Sequence, residues 1–365
     1  MQIGILFLLI SPQLAAQERG LTALNVSIAV FDPGVPAQRS LHRDLQVFPR
    51  IREIEALFLP FVLREVLADA GEWGAVRVVP DFDPAAELLV STTIVRSDGE
   101  VLELHINAVD ASGRKWLDQS FAGVVANNYA QRDNEYGVPS RQTPYEDIAE
   151  SLRQVRAQLS EKAVSDIVEI SLLRYANELA PSAFGDYLKQ SDEGVFTINR
   201  LPAENDPMLE RIGRIRGVEY VITDAVDAKY QEMHADIASI YDLWRTYRRK
   251  AVMYQEDDAE RAKTSGSDAP RGSYEAIRTL YDNYKSDRII AQEQDKLAVA
   301  FNNEVGPRIA AMEARVAELD GWVEQQYSEW HRLLEELFEV ETGLARYTIK
   351  SGGAYSGTIR YIIDH

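Results

Sequence analysis

The sequence predicts an α+β protein: a small α/β meander-sheet domain followed by a long-helix bundle or antiparallel coiled-coil hairpin. Three observations carry this. Between residues 22 and 125, strand-length runs of alternating apolar residues flank one helical stretch. After residue 143 the apolar period becomes three to four residues and largely stays so. No repeat with a period of about 20–50 residues is present, which argues against a solenoid.

Taken in order, residues 1–16, MQIGILFLLISPQLAA, carry no charged side chain; an apolar run from Ile3 to Ile10 is followed by Pro12 and by Leu14-Ala15-Ala16. This is the outline of a secretory signal peptide, with a buried N-terminal strand as the alternative. The run is far short of the ~20 residues a membrane span needs. A basic n-region is missing, which leaves open an upstream start or a weak signal.

Residues 20–126 form the predicted α/β domain. TALNVSIAVFDPG (22–34) reads as a strand ending in a Pro-Gly turn. In residues 48–74, Ile51, Ile54, Phe58, Val62 and Val66 fall at helical spacing, closed by Gly71 and Gly74, with Pro60 expected to kink the helix or start a second piece. AVRVVP (75–80) is a short strand. A meander follows, with hairpin turns at Asp98-Gly99 and at DASG (110–113) and a return strand KWLDQSFAGVV. The predicted order is β-α-β-β-β-β.

Residues 127–143 read as a linker, and 144–344 as a helical domain. A first stripe runs from Tyr145 to Leu173 as one helix ended by Pro181. Residues 194–205 read as irregular or a short strand. Asp206-Pro207 then provides an N-cap with proline at the first helical position. A second stripe, Ile212 to Ala251, follows; residues 217–224 read as helix or strand. Residues 256–273 are expected to be a mobile loop joining it to a third stripe, Leu297 to Val340, bent at Pro307 and stopped at Gly343. The tail, 345–365, reads as a C-terminal β-hairpin, too short for a membrane barrel.

Composition excludes several classes. The formal charge is −19, which disfavours nucleic acid and anionic lipid. There is no cysteine, so acylation as a lipoprotein, disulfides and thiol or Cys-zinc chemistry are excluded. Export without disulfides fits a bacterial periplasmic protein. Glu103 and His105 share one strand face at a spacing that suits two metal ligands, but no third ligand is local; a solvated face is the better reading. Asp98 and Asp110 read as turn formers. Among His42, His105, His234, His331 and His365 no pair stands at i+4, so no metal site is expected. Ser112-Gly113-Arg114-Lys115 matches S-x-x-K only formally, because it spans a hairpin turn. No G-x-S-x-G, Gly-Lys phosphate loop or G-x-G-x-x-G is present, and no cofactor is expected. Glu335, Glu336, Glu339 and Glu341 read as a solvated helix face. Trp244 and Trp330 read as core. WRTYRRK (244–250) is the one basic patch, and its Trp244, Arg245, Arg248, Arg249 and Lys250 are the candidate partner-binding residues, with a helix C-terminal turn as the plain alternative.

The VSIAVFDPG strand, the LPFVLREVLADAGEWGAVRVVP helix-to-strand passage and the SDGEVLELHINAVDASGRKW meander resemble the small α/β domain of Gram-negative envelope accessory families. These are the curli-secretion lipoproteins, the penicillin-binding-protein activators and the auxiliary lipoproteins of lipid-transport systems. As a whole the chain resembles a proteobacterial envelope protein. The resemblance covers under a third of the chain and implies a non-enzymatic accessory role. The chain departs from it in lacking a cysteine to acylate and in carrying the larger helical region. The resulting expectation is a periplasmic adaptor or scaffold whose partner is an envelope protein, with self-association through the long helices. A binder of a small or lipidic ligand and a carboxylate-based hydrolase are the alternatives.

Overall fold

The computed structural model describes residues 23–44, 47–80, 83, 85–99, 101–124, 143–203, 206–264 and 306–342, with isolated helical positions at 278, 292, 296, 299 and 303. The signal-peptide segment, the linker, most of the expected mobile loop and the C-terminal hairpin lie outside them. The fold is α+β, as the sequence predicts.

Five strands form one sheet: β1 (Val26–Ala29), β2 (Val76–Val79), β3 (Leu88–Ser97), β4 (Val101–Asp110) and β5 (Lys115–Val124), in the order β2-β1-β3-β4-β5. β1 pairs in parallel with both β2 and β3, and β3, β4 and β5 follow as an antiparallel meander. Parallel neighbours need a crossover. The crossover from β1 to β2 carries a short helix that the sequence reading lacks, α1 (Arg39–Asp44), and then α2 (Pro49–Ala70). α2 is one helix through Pro60, so no second piece starts there. Phe58, Leu59 and Phe61 are all at most 1% exposed, and this packing holds the turn that proline weakens. Gly71 ends α2 in the left-handed conformation, φ 68°.

Both meander turns are built by aspartates. Asp98 Oδ1 accepts the Val101 N–H at 2.8 Å beside Gly99, whose φ is 96°. Asp110 accepts the N–H groups of Ser112 (2.9 Å) and Arg114 (3.2 Å), while its second oxygen accepts Trp116 Nε1–H at 2.8 Å.

The first helical stripe is two helices, α3 (Pro144–Ala157) and α4 (Glu161–Leu179), not one. The break is local: the Ser160 hydroxyl accepts the Ala163 N–H and starts a new N-terminus. α5 (Pro181–Phe184) begins at the expected proline. Residues 194–205 contribute β7 (Phe196–Ile198), antiparallel to β6 (Leu188–Gln190). Then α6 (Pro207–Thr264) opens on Asp206, whose carboxylate accepts the N–H groups of Met208 and Leu209. Residues 217–224 are helix, and so are 256–264, where the loop was expected to start. α7 (Gly306–Thr342) pairs antiparallel with α6: Arg315 meets Asp236 at 2.8 Å, Lys229 lies over Trp322, and Ile215 packs with Trp330 and Leu334. Among the described residues no helix is long and apolar enough to cross a membrane.

The main core takes in residues on both sides of the 127–143 segment. Leu24, Ile28, Phe58, Leu104 and Ile106 share it with Tyr145, Leu152, Ile167, Val226, Ile237, Trp244 and Val316.

Gly71 and Gly99 separate backbone strain from crowding. A Cβ at Gly71 meets nothing within 4 Å, whereas one at Gly99 would stand 2.5 Å from Arg248 Cβ. Gly71→Ala is expected to cost about 1 kcal/mol from its positive φ alone. Gly99→Ala is expected to cost roughly 2–4 kcal/mol and to loosen α6 near Arg248. Urea titration and amide exchange over 241–250 measure both; equal costs would contradict the close contact.

Candidate functional site

The chemistry-bearing groups gather where α6 crosses the α/β layer. They form two buried clusters with a row of polar contacts between them.

The first cluster centres on Arg216, which is 6% exposed near the start of α6. Its Nη2 donates to the Ala85 carbonyl at 2.8 Å, its Nη1 to the Ser171 carbonyl of α4 at 3.4 Å and its Nε to the Tyr220 hydroxyl at 2.9 Å. The guanidinium also lies over the Tyr175 ring, 4.7 Å from its centre. One side chain thus joins the loop before β3, α4 and α6. Burial lowers the affinity of Arg216 for its proton, but Tyr220, Asp83 and Glu219 more than offset this and hold it charged.

Carboxylates surround this cation. Burial pushes Glu219 up to about 7, with Arg216 pulling it down and Asp83 pushing it further up. Burial also raises Glu178, again with Asp83 adding to the rise. Glu87 is raised by burial but held by Asn25, whose backbone and side-chain N–H groups reach it at 2.7 and 2.8 Å. The Tyr175 hydroxyl lies beside Glu219, and burial raises its pKa too. Yet neither Tyr175 Oη nor Glu219 Oε2 completes a hydrogen bond of good geometry.

The second cluster centres on Glu55 of α2, fully buried. It accepts the hydroxyls of Ser97 and of Tyr241 (2.8 Å), with Arg52 Nε 3.8 Å away. Burial raises its pKa, and these partners oppose the rise. Arg52 also donates to the carbonyls of Ile94 (2.7 Å) and Val95 (3.3 Å), where the β3–β4 register shifts. Arg245 of α6 donates to the Gly99 carbonyl at 3.0 Å.

Between the clusters, Asp227 accepts the Val78 N–H at 2.8 Å and pairs with Arg64 at 2.8 Å. β2 is an edge strand, so a carboxylate from α6 satisfies backbone that would otherwise face solvent. His234 stacks on Phe58 at 4.3 Å and tilts onto Phe61, and burial drops it to about 4.

Of the predicted partner-binding residues, Trp244 and Arg245 are 2% and 4% exposed and belong to the chain's own core and second cluster. Packing of the helix against the sheet, rather than the macrodipole alone, employs them. Arg248 is half-buried over the Phe48 ring at 4.4 Å, with no ion pair among the described residues. The side chains of Arg249 and Lys250 lie outside the description. His105 reaches Asp118 (3.1 Å) on the open sheet face without Glu103. Among the described residues no three acidic or histidine side chains form a cation-binding group. Trp330 is buried, as expected of core.

Sequence reading did not find Arg216, Glu219 or Tyr220. Their i, i+3, i+4 spacing beside the apolar stripe was the available signal. It fell in the segment whose helix or strand character the periodicity left open.

A pKa near 7 in a buried group suits proton transfer, and ion-pair networks produce it equally. The chain matches no protein-family model, no curated protein and no solved structure.

The two perturbed groups pull stability in opposite directions. Glu219 has a folded pKa above its ordinary value, so its contribution is full below about 4.5 and is lost as pH rises through about 7. His234 has a folded pKa below its ordinary value, so its contribution is full above about 6.5 and is lost as pH falls towards about 4. Their windows overlap, so between about pH 4.5 and 6.5 the two slopes oppose and largely cancel in thermal unfolding of the unaltered chain. Glu219→Gln is expected to unmask the His234 contribution, a rise in stability on the order of 1–3 kcal/mol from pH 4.5 to 6.5, and His234→Phe to unmask the fall from Glu219. A pH profile of Glu219→Gln identical to that of the unaltered chain would remove Glu219 from the account.

Proposed function

We propose that this chain is a non-catalytic adaptor or scaffold that acts through protein–protein contacts in the envelope of a Gram-negative cell. In this reading the N-terminal segment directs export to the periplasm, the α/β layer is the anchored body, and α6 with α7 is an antiparallel helical hairpin that reaches a partner. The resemblance of residues 22–125 to envelope accessory domains supports it. The observation that carries it is the use of the buried polar groups. Arg216, Asp227, Tyr241 and Arg245 each join α6 to another element of the same chain. Chemistry spent on fixing a long helix at set points suits a rigid presenting arm.

A second reading, carboxylate-based hydrolysis, is favoured by one observation: Glu219 and Glu178 are both raised, with Asp83 coupled to each. Two acids held at different proton affinities are what general acid–base hydrolysis needs.

One experiment addresses the adaptor reading directly. A photo-reactive amino acid is placed at the exposed positions Val218 and Val221 of α6 and Leu333 of α7, in cells that express the chain. Recurrent capture of one defined envelope protein is the expected outcome. Absence of any such adduct, together with hydrolysis of a glycoside or ester panel that Glu219→Gln abolishes, would replace this reading with the second.

A further inference from the structure

The five-stranded sheet has two edges, and they are finished differently. β2, at one edge, is covered by α6, whose Asp227 takes the Val78 N–H. β5 is the other edge and is ten residues long. Among the described residues no backbone group bonds to its outer side. An uncovered edge of that length is a template for another strand, and sheets blunt such edges with proline, lysine, bulges or shortness. β5 has no proline. Its lysine, Lys115, and the register shift opposite Ala108 and Val109 both lie at its first residues. From Leu117 onward it carries neither device.

The pairing with β4 fixes what each face of a further strand would meet. Leu117, Gln119 and Phe121 stand opposite Ala108, Ile106 and Leu104, all fully buried, and so point to the core side of the sheet. Gln119 is nevertheless exposed and Phe121 only half-buried, at the margin of that side. Asp118 and Ser120 point to the open face, where both reach His105. A strand that continues this sheet therefore needs apolar residues at alternate positions on one side and tolerates polar ones on the other.

The chain's own C-terminal sequence meets that requirement. In extended form residues 358–363, TIRYII, place Ile359, Tyr361 and Ile363 on one side and Thr358, Arg360 and Ile362 on the other. Thr, Ile and Tyr also favour strands. With 345–350 they are the arms of the hairpin read from the sequence, and two strands alone are marginal in water without a sheet to join. The distance is short enough. Leu337 of α7 and Leu179 of α4 pack against the same Ile215–Trp330–Leu334 cluster. Arg174 stands five residues before Leu179, about 8 Å along α4. Its guanidinium lies 4.4 Å from the centre of the Phe196 ring, and the Phe196 N–H donates to the Ser112 carbonyl in the turn that opens β5. Residues 343–357 can span up to about 50 Å. We propose that residues 358–363 pair with the outer edge of β5 of their own chain as a sixth strand, with Ile359, Tyr361 and Ile363 on the side of Leu117, Gln119 and Phe121. The inference does not depend on the scaffold reading, and either can fail alone.

Disulfide trapping in the full chain tests it. The sequence has no cysteine, so an introduced pair of thiols has no rival within the chain. Ser120→Cys is combined in turn with Thr358→Cys, Ile359→Cys, Arg360→Cys, Tyr361→Cys and Ile362→Cys. Each variant is oxidised mildly in dilute solution, and the bridged peptides are quantified by mass spectrometry. Ser120 is exposed, and circular dichroism confirms that each variant keeps its fold. Cross-strand neighbours on one face come close enough to bridge, whereas a residue one step along points away. The expected result is an alternation, with the best of positions 358, 360 and 362 bridging about tenfold or more above 359 and 361. Equal bridging at all five positions, as a loose tether gives, overturns the proposal, and so does no bridging at any of them. Bridges formed only between two chains overturn it as well, and assign the β5 edge to the tail of a second copy.

Discussion

The seating of α6 on the α/β layer is the contact that holds the longest described helix in place, and it is polar as well as apolar. Apolar packing alone would let a long helix slide or roll, because one stripe of Val, Ile and Met fits a sheet in several registers. The guanidinium of Arg216, held by two carbonyls and a phenol, admits one position. Glu55 does the same near the other end, because it has lost water and must keep both hydroxyl donors. Removing one partner from such a buried group typically costs about 3–5 kcal/mol. The whole pair replaced by apolar residues would cost far less, so these groups select the arrangement more than they strengthen it.

α4 shares in that selection. Its Ser171 gives a carbonyl to Arg216 and sends its own hydroxyl to Ala85, while Arg174 donates to the Ala111 carbonyl and lies over Phe196. The small β6–β7 hairpin is drawn in as well, since the Phe196 N–H donates to the Ser112 carbonyl at 2.7 Å. The turns of the meander are therefore covered, one by this hairpin and the other by α6. A sheet whose corners are capped by later elements is completed only when the helical half has formed.

The strands, their turns and the helix caps were legible in the sequence because their causes are local. Asp98-Gly99 encodes its own turn, Asp110 its own, and Asp206-Pro207 its own helix start. The break between α3 and α4 was missed because the apolar steps through Val155 and Leu159 continue across it, while Ser160 alone carries the stop. Pro60 starts no second helical piece, because burial of Phe58, Leu59 and Phe61 keeps one helix through it. The buried clusters were not legible at all. Tyr241 and Glu55 stand 186 residues apart, and no periodicity links them. His105 and Glu103 had the better local pattern, and they face solvent.

Anchoring at Arg216 and again at Arg245 has a consequence for how this chain can change length. One residue inserted between them would turn the far anchor by about 100° and advance it by about 1.5 Å, pointing Arg245 away from Gly99. Seven inserted residues would nearly restore the angle, but carry the anchor some 10 Å past the turn it grips. Angle and distance cannot both be met by any insertion, so this stretch of α6 behaves as a ruler with both ends pinned.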